Sequence, residues 1–111
     1  MTGQRKTINI GGQDALDAAG AIVGKDDSKQ QAEQVKKNRQ AALHAGGAEL
    51  EHIIKWNIYV VHGQPIQPGF EGFQRVWGYR PHPPAITLAF VSALARPEFL
   101  VEMDAIAVVP Q

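Results

Sequence analysis

The sequence predicts an α+β fold in which a single β-sheet carries two helices on one face. The 111 residues, 44% of them hydrophobic, suit one domain over 1–111 built around one core. Two segments with helical spacing alternate with strand-like runs, so helices connect strands by crossovers and pack on the same face. The other face is left open, and self-association is the expected way to cover it.

The first half of the chain is predicted to form a strand, a loop and a long helix. Thr7–Ile10 alternates in polarity and ends at two glycines, which indicates a short strand before a loop over 14–27. The helix begins at Ser28, whose spacing to Gln31 fits a capping box. It ends at Gly46 and Gly47, one of which should have a positive φ. The predicted buried stripe comprises Ala32, Val35, Ala42 and Leu43.

The second half is predicted to add a strand, a short helix and two further strands. Ile53–His62 is dense in β-branched and aromatic residues and is the clearest strand. Pro68 can open a helix whose buried face holds Phe70, Phe73 and Trp77. After a proline-rich turn, Ile86–Leu94 and Leu100–Val109 are predicted strands joined by a hairpin turn over 95–98.

Composition excludes several classes of function. Eleven basic residues balance eleven acidic ones, which argues against nucleic acid or an anionic membrane as a partner. The chain has no cysteine, no signal peptide and no apolar run long enough to span a membrane, so we expect a soluble, cytoplasmic protein. The four histidines lack metal-ligand spacing, and no cofactor motif is present, so we expect neither a metal nor a cofactor.

The last predicted strand carries two acidic residues in an apolar setting. Glu102 and Asp104 are two apart and therefore share a face of the strand, together with Leu100, Ile106 and Val108. If both are half-buried, burial and mutual repulsion raise their pKa values, and one could act as an acid–base group. Alternatively, both reach solvent at an oligomer edge or pair with Arg or Lys.

Several segments, taken in order, resemble the YjgF/RidA family of reactive-intermediate deaminases, formerly called endoribonuclease L-PSP. The similarity rests on Gly11-Gly12-Gln13, the helical segment 34–47, the strand 53–60, the run Pro83–Leu88 and the run Phe99–Val108. The resemblance implies a chorismate-mutase-like (ferredoxin-like) α+β fold. It also implies a homotrimer with small-molecule sites in the clefts between subunits.

The resemblance also implies roles for individual residues. Glu102 matches the family's catalytic glutamate, and Gly12 and Gln13 match positions near the substrate. Ile86 stands where the family has an arginine that binds a substrate carboxylate, and Leu88 where many members have a cysteine. An isoleucine provides neither charge nor a hydrogen-bond donor. Arg75 and Arg80 are the nearest cations in sequence that could replace the arginine. Members of the family usually have a further N-terminal strand with an aromatic residue that reaches the cleft. Only Met1–Lys6 stand at that position here, so that strand should be short or absent.

Two functions remain open at this stage. One is binding of a small metabolite by a divergent enamine/imine deaminase, a hydrolase, with an unusual substrate. The alternative is a non-catalytic ligand-binding or assembly protein of the same fold. Ribonuclease activity is disfavoured because Lys36, Lys37, Arg39 and Lys55 are scattered among acids without an aromatic stacking platform.

Overall fold

A computed structural model describes residues 4–67, 74–75 and 77–110. Its elements are strand β1 (Arg5–Gln13), helix α1 (Ser28–Ala45), a short 3-10 helix (Leu50–His52), and strands β2 (Ile53–Val61), β3 (Ala85–Val91) and β4 (Val101–Pro110). Within these ranges, no helix has the length and apolar character needed to cross a membrane.

The four strands form one mixed sheet in the order β1-β4-β2-β3. β4 is antiparallel to both of its neighbours, and β2 is parallel to β3. The predicted hairpin between the last two strands is wrong, because β2 lies between them and residues 92–100 carry the chain across to the middle of the sheet. A central position explains why alternate residues of β4 are fully buried.

β1 spans nine residues. No separate strand precedes β1 among the described residues, and residues 1–3 lie outside them. β1 is longer than the run Thr7–Ile10 because its backbone pairs with β4 from Arg5 to Gln13. This pairing includes one irregularity, where three steps along β1, from Ile10 to Gln13, match two steps along β4. The extra residue is a β-bulge at Gly11 and Gly12.

Helix α1 begins where the sequence predicts, but its cap is the preceding residue. The Asp27 side chain accepts a hydrogen bond from Gln30 N at 3.1 Å, so the predicted capping box between Ser28 and Gln31 does not form. Gln31 is instead fully buried. At the other end Gly47 has a φ of +85°, which confirms the expected left-handed glycine.

The core lies between α1 and one face of the sheet. β4 contributes the buried side chains Val101, Met103, Ala105 and Ala107, and β2 contributes Ile53, Trp56 and Val60. The predicted stripe of α1 is largely confirmed, since Ala32, Val35 and Leu43 are buried and Ala42 packs at its margin. Sequence analysis missed three polar residues buried on the same helix: Gln31, Lys36 and Arg39.

The predicted second helix lies mostly outside the described residues. Pro68, Phe70 and Phe73 are not described, whereas residues 67, 74, 75 and 77 are helical. Trp77 is buried, with 5% of its surface exposed, and joins the core cluster. The described part of this segment therefore packs on the same side of the sheet as α1.

Candidate functional site

The two faces of the sheet separate the predicted site residues. Glu102 and Asp104 of β4 alternate with its core residues and therefore lie on the face away from α1, which we call the open face. Ile86 and Leu88 of β3 are paired with Trp56 and Ile58, which pack in the core, and so lie on the helix-covered face. One chain thus brings Gly12 to Glu102 but does not bring Ile86 or Leu88 to them.

The bulge in β1 makes room for the Glu102 carboxyl group. A Cβ atom added at Gly12 would stand 2.7 Å from both Cδ and Oε2 of Glu102, closer than real Cβ contacts. At the adjacent Gly11, an added Cβ would meet nothing within 4 Å. The absence of a side chain at Gly12 therefore lets the Glu102 carboxyl group lie directly against the β1 backbone.

Asp14, the residue after the end of β1, is an acidic neighbour of the Glu102 carboxyl group. Burial raises the pKa of Glu102, and a hydrogen bond to Asp14 and the negative charges of Asp14 and Asp104 raise it further. Burial also raises the pKa of Asp14, although its hydrogen bond with Glu102 acts in the opposite direction. The hydrogen bond between the two carboxyl groups thus favours the proton on Glu102 over Asp14.

Helix α1 fixes the loop that carries Asp14. Asn38 Nδ2 donates to the backbone oxygens of Asp14 and Leu16, each at 2.8 Å, and Gln34 Nε2 donates to Asn38 Oδ1 at 2.9 Å. Asp14 Oδ1 is buried, and no donor among the described residues reaches it. The loop that carries Asp14 is therefore held in place by α1 side chains that donate to its backbone oxygens.

Asp104, the next acidic residue on the open face, has conventional donors. Asn57 Nδ2 donates to its Oδ1 at 2.9 Å, and the Tyr59 hydroxyl donates to its Oδ2 at 3.5 Å. The charge of Asp104 is the largest of the causes that raise the pKa of Tyr59. Asp104 also borders a shallow depression of about 240 Å³, lined by Asn9, Ile10, Gly11, Asn57, Asp104, Ala105 and Ile106.

Sequence analysis did not single out Asn9, Asn57 or Asp14 as site residues. Asn57 gave the strongest available signal, since asparagine is disfavoured within strands and stands here between apolar neighbours. Its partner could not be identified without the register, which sets Asn57 opposite Asp104. Asp14 gave no signal, because its closeness to Glu102 depends on the bulge.

The remaining predicted residues occupy distinct positions. Gln13 is paired with Met103, and its side-chain amide donates to Gly11 O at 3.1 Å, so it braces the bulge. Ile86 is 41% exposed on edge strand β3, and Leu88 is half-buried beside the core. Both contribute apolar surface only.

The two suggested replacement cations have protein partners. The Arg75 side chain contacts Glu33 at 3.4 Å. The Arg80 guanidinium donates to Trp77 O at 3.1 Å, and Arg80 O accepts from Trp77 Nε1 at 2.9 Å. These contacts commit Arg80 to the turn before β3. Within the described residues, no group of three or more His, Cys, Asp or Glu side chains could hold a metal ion.

Comparisons with known proteins agree on one family. The family model described as endoribonuclease L-PSP matches residues 2–109. A crystal structure of a Rid-family protein of unknown function from Yersinia pestis is 33% identical, with a TM-score of 0.82, over 94% of this chain and 79% of that one. No match was found among curated proteins.

Two more distant structures share the fold. The YjgF gene product of E. coli is 23% identical, with a TM-score of 0.80, over 92% of this chain and 80% of that one. E. coli TdcF with bound serine is 22% identical, with a TM-score of 0.82, over 93% of this chain and 80% of that one. This level of identity establishes similarity of fold alone.

Proposed function

Because this chain belongs to the endoribonuclease L-PSP family, also called YjgF/RidA, we propose that it binds a small metabolite beside Glu102 and hydrolyses an enamine or imine. The observation that carries the proposal is the Glu102 carboxyl group, which lies against Gly12 and whose pKa is raised by burial and by a hydrogen bond to Asp14. A carboxylic acid whose pKa is raised by its surroundings keeps its proton to higher pH and can act as a general acid.

The reaction assigned to this pair is hydrolysis of a C=N bond. Glu102 donates its proton to the imine nitrogen while water adds to the carbon, which gives a carbinolamine. Proton transfer from the hydroxyl to the amine, through the carboxyl pair, then breaks the C–N bond. The products are a carbonyl compound and ammonia, and Glu102 regains its proton from the attacking water. Asp14 keeps the proton on Glu102 at pH values where an isolated glutamate is ionised.

The substrate we propose is an imine without a carboxylate group next to the reacting carbon. Ile86 supplies apolar surface worth about 25 cal/mol per Å² and no hydrogen-bond donor. A desolvated carboxylate is disfavoured there. The negative charges of Asp14 and Asp104 add repulsion for an anion on the open face. Hydrolysis of 2-aminoacrylate-type imino acids is therefore expected to stay at background.

The proposal includes a homotrimer, because one chain does not bring Ile86 and Leu88 onto the face that carries Glu102. A second copy that sets its β3 edge against the open face of the first would complete a cleft from both. Ile86 and Phe90, 41% and 51% exposed on the helix-covered side of β3, supply apolar surface for such contact. Light scattering at micromolar concentration should return about three times the 12.1 kDa chain mass. A monomer would contradict the shared cleft.

The activity test compares two freshly generated imines, one with a carboxylate group and one without. The parent protein should release ammonia from the neutral imine above background and leave the imino acid at background. Ile86→Arg should improve binding of the imino acid. Loss of turnover in Glu102→Gln, with Asp104→Asn as the matched control, would tie the reaction to the carboxyl pair. Robust hydrolysis of the imino acid by the parent would contradict the assigned substrate class.

The second candidate function is metabolite binding without turnover, and replacement of the arginine by Ile86 favours it. E. coli TdcF carries serine in its structure, so serine and small neutral amides are reasonable binding probes. Saturable binding that Glu102→Gln abolishes, without hydrolysis of either imine, would support this candidate over the deaminase.

A further inference from the structure

Two basic side chains are buried on the inner face of α1. Only 6% of the surface of Lys36 and 1% of that of Arg39 is exposed. They are three residues apart and so stand one above the other on the helix. The same face contributes Val35 and Leu43 to the core. Lysine and arginine are rarely buried to this extent unless they are paired.

The Arg39 guanidinium lies over an aromatic ring, and two of its nitrogen atoms lack an acceptor among the described residues. Its central carbon lies 3.8 Å from the centroid of the Trp56 ring. Its Nε and Nη1 atoms are buried, and no acceptor among the described residues reaches either of them. Burial lowers the pKa of Arg39 to about 10, so the side chain is still charged at neutral pH. Stacking on an aromatic ring does not provide the hydrogen bonds that these N–H groups lack.

Gln31, on the same helix, illustrates what a satisfied buried side chain looks like in this fold. None of its surface is exposed. Its Nε2 donates to Glu98 O at 2.8 Å and to Gly24 O at 3.2 Å, and its Oε1 accepts from Leu100 N at 2.9 Å. Because every polar atom of Gln31 has a partner, the unmet donors of Arg39 stand out as an exception that calls for an acceptor.

The charges around Arg39 also point to an anion. Burial lowers the pKa of Lys36, and the positive charges of Arg39 and Arg75 lower it further, against the opposing effect of Glu33. Glu33 itself contacts Arg75 at 3.4 Å. Among the described residues that act on Lys36, Glu33 is therefore the one carboxylate beside three cations, Lys36 itself, Arg39 and Arg75. Lys36 and Arg39 together carry excess positive charge in a buried, weakly polar site.

We propose that Arg39 and Lys36 form a binding site for a small oxyanion, the carboxylate or phosphate group of a metabolite, with Trp56 as its floor. Trp56 is paired with Ile86 on the neighbouring edge strand, and their side chains share the helix-covered face. The site lies on the opposite face of the sheet from Glu102 and does not depend on the proposed hydrolysis.

Thermal unfolding of the full chain in different anions tests the site. Phosphate, acetate and succinate are titrated against chloride at constant ionic strength and pH 7. At about ten times the Kd, the Tm of the parent should rise by roughly 5–10 °C, saturably, because only the folded chain binds. A phosphate-only response identifies the phosphate group as the ligand, and a response to acetate or succinate identifies the carboxylate.

Arg39→Met and Arg75→Met form the matched pair of variants. Without added anion, Arg39→Met should be at least as stable as the parent, since replacing a buried unpaired charge by an apolar side chain removes its desolvation cost. It should lose the anion response. Arg75→Met removes an exposed charge and should keep most of that response. If Arg39→Met retains the parent's response, or the parent shows none beyond chloride, the site does not exist.

A direct measurement on the unmodified protein completes the test. The Nε–H resonance of Arg39, assigned by its absence in Arg39→Lys, should shift saturably with the anion that raises the Tm, at the same Kd. The Arg75 resonance should move little. An Arg39 resonance that stays unchanged while the Tm rises would locate the anion elsewhere and overturn the proposal.

Discussion

The surroundings of Glu102 and of Asp104 differ sharply, although the two residues lie on one strand, on one face and two positions apart. Asp104 accepts hydrogen bonds from Asn57 and Tyr59, both on β2. Glu102 lies against the β1 bulge at Gly12, and burial, a hydrogen bond to Asp14 and nearby negative charges raise its pKa. Two carboxyl groups of the same strand therefore have different partners, because one lies against β1 and the other against β2.

The difference shows that a bulge in one strand, β1, can determine the surroundings, and thereby the pKa, of a carboxyl group on the neighbouring strand, β4. A regular β1 would carry a side chain into the space of the Glu102 carboxyl group. At the bulge the position beside the Glu102 carboxyl group is held by Gly12, which has no side chain. Asp14 comes two residues later in the sequence. Bulges re-aim side chains in this manner beside functional sites.

The largest expected effect separates Glu102→Gln from Asp104→Asn. Glu102→Gln removes the proton donor, so kcat for the imine that the parent hydrolyses should fall by about 10²–10⁴. Asp104→Asn keeps an acceptor for Asn57, so kcat should change by less than about tenfold. Steady-state ammonia release measures both. Equal losses in the two variants would mean that the surroundings of the two carboxylates do not determine the chemistry.

The next prediction compares Gly12→Ala with Gly11→Ala. The new Cβ at position 12 would displace the Glu102 carboxyl group, whereas the one at position 11 meets nothing within 4 Å. Because Glu102 is the flexible end of a long side chain, Gly12→Ala should cost no more than about 1 kcal/mol of stability while lowering activity tenfold or more. Chemical denaturation and ammonia release are the measurements. Full activity in Gly12→Ala would show that the bulge does not hold Glu102.

The smallest expected effect concerns Tyr59. The charge of Asp104 is the largest cause that raises its pKa. Asp104→Asn should therefore lower the pKa of Tyr59, while Glu102→Gln should lower it less, because Glu102 is the last of the contributing causes. Phenolate absorbance measures the change, with Tyr79, which is fully exposed, as the second tyrosine in the titration. If Glu102→Gln lowers the pKa of Tyr59 more than Asp104→Asn does, Glu102 and not Asp104 is the main charge at Tyr59, and this prediction is wrong.

Sequence patterns predicted the elements better than their arrangement. The strand Ile53–Val61, the helix from Ser28 and the glycine at positive φ followed from local chemistry, in which β-branched residues, helical spacing and glycine each act within a few residues. The central position of β4 was missed, because the order of strands depends on long-range pairing that no short pattern reports. The predicted hairpin over 95–98 failed for this reason.

The sequence also predicted only those parts of the candidate site that depend on local patterns or on the family resemblance, and not those that depend on long-range strand pairing. Glu102 and Gly12 could be identified from a family resemblance, and the alternation of β4 predicted that Glu102 and Asp104 share a face. Asp14 could not be identified, because an extra residue in β1 is invisible until the register with β4 is known. Arg39 was missed because a basic residue on a helix is usually solvent-exposed.

The most direct test of the account is the titration of the Glu102 carboxyl carbon by NMR, in the parent and in Asp14→Asn. The parent should titrate above the ordinary value of 4.5, in steps shared with Asp14. Asp14→Asn should lower the pKa of Glu102, since it removes one negative charge and can donate a hydrogen bond to the carboxylate.

The parent and Asp14→Asn should also differ in how their free energy of unfolding depends on pH. A carboxyl group whose pKa is raised on folding contributes stability at low pH that is lost as the pH rises through the folded pKa. The parent should therefore lose this contribution on going from about pH 4 towards neutral pH, and Asp14→Asn should lose less of it. If Glu102 instead titrates at its ordinary value in the parent and does not respond to Asp14→Asn, the shared proton is absent and the central claim is wrong.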